Sequence, residues 1–110
     1  MTITDDEFAK IEIRVGKVVQ VADFPKARKP AYKLWIDFGE YGIKKSSAQI
    51  TKLYQSEELI GRQILAVTNF PPRQVADLMT EVLVLGVVLD NEQVVLIEPD
   101  RNVPLGKRIL

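Results

Sequence analysis

Between residues 65 and 73 an apolar segment, Leu65-Ala66-Val67-Thr68-Asn69-Phe70, runs without a spacer into Pro71, Pro72 and Arg73. No other stretch restricts the backbone as firmly. Each proline fixes φ near about −65° and has no N–H to donate, so a strand entering from Leu65 must end here. Phe70 precedes a proline and is driven toward an extended conformation. The segment therefore predicts a stiff corner that holds Asn69 and Arg73 in fixed positions beside an aromatic ring. Such a corner suits binding, because ligand contact then costs little ordering entropy. The competing reading is a proline-locked strand exit that binds nothing.

At 110 residues and 46% hydrophobic, the chain has the size and composition of one domain over residues 1–110 with a small core. The absence of cysteine excludes disulfides, a thiolate nucleophile and Cys-ligated zinc. The absence of histidine removes the usual general base and the commonest metal ligand. No signal-peptide pattern opens the chain, and no apolar run approaches the ~20 residues of a membrane span. The expected location is the cytoplasm. Formal charge is zero but unevenly spread. One Lys faces four acids over residues 1–12, nine Lys/Arg face three acids over 13–52, two face eight over 53–100, and three basic residues close the chain. Obligate duplex-DNA binders carry an overall basic excess that this chain lacks. The second block can still gather a local basic face from Lys26, Arg28, Lys29, Lys33, Lys44 and Lys45, or present them as ordinary solvated surface.

Thr4-Asp5-Asp6-Glu7 is a T-x-x-E capping box and predicts a short N-terminal helix. From Ile11 the period becomes two, with Gly16 expected to mark a bulge or bend before the strand resumes to Val21. A proline-broken loop spans Phe24 to Pro30. The next strand sets Leu34, Ile36 and Phe38 against Lys33, Trp35 and Asp37, and Gly39–Gly42 turns it into a strand over Ile43–Ser47. Ile50–Leu59 reads as helical or irregular, with Ser56 as a candidate N-cap. Gln63–Thr68 is the strand that meets the corner, and Gln74–Thr80 is expected to be a loop or single turn. Glu81–Leu89 reads as one further strand, and Gln93–Ile97 pairs back onto it. Several short strands with one helical insert suggest an all-β fold with minor helix. The economical form is a five-stranded Greek-key OB barrel with a short N-terminal helix, terminal extensions and the insert plugging its bottom.

Val82–Leu89 is apolar at every position except Gly86, although one face of a small-barrel strand should meet water. A second subunit or the chain's own termini must cover it, and a symmetric homodimer is the favoured expectation. Catalysis has little to work with. Lys45 and Ser46 point to opposite faces, and Lys44 with Ser46 lacks any nucleophile context. No phosphate-cradling loop or metal-ligand pattern is present, so no cofactor is expected. Binding is better served. Lys33, Trp35, Lys44 and Lys45 fall on the two strands that OB folds commonly use for ligands, with Ser46, Ser47 and Gln49 at the end. Such a mix suits single-stranded nucleic acid or an extended peptide. Trp35 is either a stacking platform or a core or interface residue.

Three stretches resemble a known family. Ile11-Glu12-Ile13-Arg14-Val15-Gly16-Lys17-Val18-Val19 is similar to the "D-I-R-V-G-K-V" opening of tRNA-binding OB domains. These occur alone, in cytokine-like polypeptides, and at the C-terminus of methionyl-tRNA synthetases. Ile60–Phe70 resembles "L-V-G-K-K-V-V-V-V-A-N-L", and Val94–Gly106 resembles "V-x-L-L-x-P…V-P-x-G". The likeness spans nearly the whole chain. Three departures, Ser46–Thr51, Asn69–Arg73 and Glu81–Gly86, look like the CsaA-type secretion chaperones within that family.

The resemblance implies a homodimeric OB fold, affinity for unfolded or presecretory polypeptides, and contact with the SecA translocation ATPase. Pro71 stands where tRNA-binding members have a lysine, and Val82 where they have a glycine. Losing a phosphate-contacting cation weakens nucleic-acid affinity, and losing the glycine limits close backbone approach. Both shift the expectation toward peptide. In that reading Phe70, Pro71 and Pro72 form a rigid wall. Ser46, Ser47, Gln49 and Asn69 supply hydrogen bonds, and Arg73 and Lys33 attract acidic groups. A tRNA-binding accessory role through Lys33, Lys44, Lys45 and Arg73 remains the alternative. A third reading is a translocase adaptor that needs no cleft.

Overall fold

The capping box forms as its residues dictate. Thr4 Oγ1 accepts from the Glu7 N–H at 3.1 Å, and Glu7 returns a carboxylate oxygen to the Thr4 N–H at 3.0 Å. Helix α1 (Asp5–Ala9) follows in a computed structural model that describes residues 1–110. Next come strands β1 (Ile13–Asp23), β2 (Tyr32–Asp37) and β3 (Ile43–Ala48), then helix α2 (Ser56–Leu59) and β4 (Gln63–Val67). Beyond the corner lie β5 (Arg73–Val75), β6 (Leu78–Thr80), β7 (Leu83–Val84), β8 (Gly86–Val88) and β9 (Val94–Leu96). No helix is long and apolar enough to cross a membrane.

Five strands form one antiparallel sheet in the order β3-β2-β1-β4-β7. Four antiparallel steps separate β3 from β7, so the two edge strands run in the same direction. The sheet curls until they meet. There the Glu81 N–H donates to the Lys45 carbonyl at 2.8 Å, and the Ser46 hydroxyl donates to the Val82 carbonyl at 2.7 Å. This is the OB-type barrel the strand pattern predicts. Its interior holds Leu34, Ile36 and Phe38 from the β2 side, Ile64 and Ala66 from β4, and Leu59 of α2. The C-terminal tail fills the place beside the start of β1 that β2 leaves open, through Lys107 O to Val15 N–H and Ile13 O to Ile109 N–H.

Four local expectations are corrected. Gly16 sits in regular register opposite Ile64, and the irregularity falls between Val18 and Gln20. Gly16 is needed for space instead: a Cβ there would stand 2.5 Å from Ile36 Cγ2 and 2.6 Å from Phe38 Cε1. The N-cap of α2 is Gln55, whose N–H is held by the Glu58 carboxylate at 2.8 Å, and Ser56 is the first helical residue. Gln74–Thr80 contributes to a hairpin, β5–β6, turning through Ala76 at φ 50°. The expected strand over Glu81–Leu89 is two: β7 pairs with β4, then β8 leaves the barrel to pair with β9. Unbroken hydrophobicity conceals a change of partner.

Candidate binding groove

The corner projects from the closing seam of the barrel. Phe70 is 53% exposed, and Pro71, Pro72 and Arg73 are exposed beside it. These four face Ser46 and Ser47 of β3, Val75 and Thr80 of the hairpin, and the Glu81–Leu83 segment, across a cleft of about 440 Å³. A larger groove of about 900 Å³ continues from it, walled by apolar residues including Ile50, Leu85, Val88 and Val94. Ser47, Arg73, Val75 and Leu83 line both parts, so the two form one continuous channel. Each part lies within the size range of ligand sites.

Five of the expected site residues meet in the cleft: Ser46, Ser47, Phe70, Pro71 and Arg73. Their availability differs. Ser46 is only 2% exposed, and its hydroxyl hydrogen is committed to Val82, so it fastens the barrel. Ser47 and Arg73 are placed to meet a ligand. Gln49 lies in the outer groove. Lys44 stands outside the lining, with Nζ 3.9 Å from the Glu81 carboxylate. Lys33 also stands outside, 3.5 Å from Asp77 and 5.1 Å from the centre of the Phe24 ring.

The structure gives Asn69 two backbone partners outside the cleft. Its carbonyl oxygen accepts from the Glu12 N–H at 3.0 Å, and its amide nitrogen donates to the Lys10 carbonyl at 2.7 Å. That amide clips the strand exit to the N-terminal segment, and Asn69 is not among the residues that line the cleft. Trp35 belongs to neither hydrophobic cluster; it is half-buried on the outer face, in a cross-strand row with Gln20 and Lys45.

Sequence reasoning missed Val75, Thr80, Glu81 and Leu83 as site residues. The first two lie on a hairpin whose residues show no clean alternation. Thr80 Oγ1 donates to the Arg73 carbonyl at 2.8 Å and pins the backbone that carries the cation. The Glu81 carboxylate is held by the Lys45 N–H at 3.2 Å. The result, in the cleft, is an apolar wall held by two prolines, a few hydrogen-bonding groups and Arg73 as its one cation. This arrangement can hold a chain, and it offers no nucleophile with an adjacent base.

The family profile for the tRNA-binding domain matches residues 13–108. Chaperone CsaA from Bacillus anthracis is 48% identical, superposes with a TM-score of 0.95, and each chain covers 100% of the other. The chain belongs to the CsaA branch of the tRNA-binding domain family. CsaA chaperone protein from Picrophilus torridus is similar at 51% identity and TM-score 0.91, over 99% of this chain and 100% of that one. The methionine–tRNA ligase of Thermococcus kodakarensis is 35% identical over 107 residues, 97% of this chain. The chain spans only 14% of that ligase's length. What is shared there is the binding domain, which this CsaA-branch member matches almost end to end.

Proposed function

We propose that this chain is a non-enzymatic chaperone that holds extended, partly apolar polypeptide in the continuous groove. It would act in the cytoplasm, as a homodimer, on unfolded or presecretory chains destined for the SecA translocation ATPase. The observation that carries the reading is the groove's wall, which is rigid at Phe70-Pro71-Pro72 and apolar through Leu83, Val88 and Val94. Extended polypeptide supplies side chains for such a wall and backbone groups for Ser47 and Gln49. Likeness to two CsaA chaperones over essentially their full length supports the same reading.

The two faces of the β8–β9 hairpin divide the work in this proposal. Val88 opposes Val94 on the groove side, while Val87 opposes Val95 on the other, at 51% and 36% exposure. The outward Val87–Val95 pair is the surface assigned to the second subunit.

A tRNA-binding role is the second reading, favoured by the family and by the methionine–tRNA ligase relatives. It has less to use: of Lys33, Lys44, Lys45 and Arg73, only Arg73 lines the cleft, and Lys33 and Lys44 are ion-paired. Paired titrations separate the readings. An unfolded export precursor and total tRNA are each titrated at low and moderate salt. Precursor binding with weak tRNA binding supports the chaperone; tight tRNA binding with a steep salt slope and no precursor binding overturns it. Binding to SecA alone supports an adaptor.

A further inference from the structure

The charge of the groove is one-sided. Arg28 and Lys29 stand at the outer groove, Arg73 stands where it joins the cleft, and no carboxylate lines that outer part. All three cations are exposed, and none takes part in the protein's four ion pairs. The one acid in the channel is Glu81, at the cleft end. Its carboxylate is already held by the Lys45 N–H and faced by Lys44. An occupant of the outer groove therefore meets apolar wall and unpaired positive charge together.

That combination restricts the occupant's chemistry. A phosphate chain would satisfy the cations but leave Leu85, Val88 and Val94 uncovered. The outer groove also offers bases no exposed ring, because Phe24, its one aromatic, is only 4% exposed. A purely apolar peptide would cover the wall and leave the cations unanswered. A basic peptide would meet like charge at three points.

We infer that the groove selects extended apolar polypeptide segments that carry carboxylates, and disfavours segments that carry lysine or arginine. The inference rests on the proposed chaperone function and names its client class. It has a consequence for export precursors. Their targeting segments open with a positively charged region, so capture falls on acid-bearing apolar stretches of the mature chain.

The test uses the full chain and about ten-residue labelled peptides of one Leu/Val/Ser framework carrying two Glu, two Gln or two Lys. A single-stranded RNA of similar length and a urea-diluted export precursor complete the set, with binding read by fluorescence anisotropy. Exposed charge contacts each change affinity by a factor of up to about five, so the Glu peptide should bind on the order of tenfold more tightly than the Lys peptide. In the Arg28→Gln/Lys29→Gln/Arg73→Gln variant the gap should shrink to about twofold or less at unchanged Tm, and added salt should narrow it in the wild type. Equal binding of Glu and Lys peptides, or RNA binding more tightly than every peptide, overturns the inference. So does a gap that survives in a folded triple variant. Precursor binding without charge preference sinks the inference alone; no binding of precursor or peptides sinks the chaperone reading with it.

Discussion

The hydroxyl of Ser46 donates to the carbonyl of Val82 at 2.7 Å, and this bond fastens β3 to the segment that closes the barrel. Both residues are buried, at 2% and 6% exposure, so water cannot replace the donor cheaply. Ser46→Ala should destabilise the fold by about 1–3 kcal/mol, the cost of leaving a buried acceptor unsatisfied. Urea denaturation measures it. A change within error would mean that the seam does not depend on this bond.

Gly16 gives a second stability test with opposing terms. Replacing glycine by alanine inside a strand ordinarily gains roughly 0.5–1 kcal/mol. Here the new methyl would press on Ile36 and Phe38, both 0% exposed and unable to retreat. Overpacking of this kind costs about 1–3 kcal/mol, so Gly16→Ala should be net destabilising. A stabilised variant in thermal or urea unfolding would show that the core yields.

The corner should separate into a structural and a binding half. Asn69→Ala removes two exposed hydrogen bonds to residues 10 and 12 and should cost about 1–2 kcal/mol while leaving client affinity intact. Arg73 is exposed and has no ion-pair partner, so Arg73→Ala should weaken client binding at nearly unchanged Tm. The reverse pattern, with Arg73→Ala unfolding the protein, would make Arg73 an anchor.

How much of this was legible in the sequence varies with the kind of signal. The period-two pattern of β2 and the capping box Thr4–Glu7 are local, and both appear in the structure as the residues dictate. The barrel was legible because turns and a helical insert punctuate its strands. The break between β7 and β8 was hidden because Val82–Leu89 has no polar residue to mark where one partner replaces another. The roles of Asn69 and Ser46 were hidden for a different reason. A polar side chain beside a corner reads the same whether it faces a ligand or a backbone group 57 or 36 residues away.

The outward pair Val87 and Val95 bears on assembly. If it forms the subunit contact, Val87→Glu should convert a dimer to a folded monomer at micromolar concentration. Size-exclusion chromatography with light scattering reads the mass directly. A wild-type protein that is already monomeric would remove the dimer from the account.

Leu83 offers the most direct test of the groove itself. It lines both parts of the channel and is 48% exposed, so a polar replacement there disturbs little of the core. The decisive measurement is anisotropy of a labelled, unfolded export precursor titrated with wild-type protein and with Leu83→Asp. A carboxylate in the shared wall should reduce affinity at least about tenfold, the combined loss of apolar contact and gain of a solvated charge, at a Tm close to wild type. Undiminished precursor binding by folded Leu83→Asp would contradict the assignment of this groove as the client site.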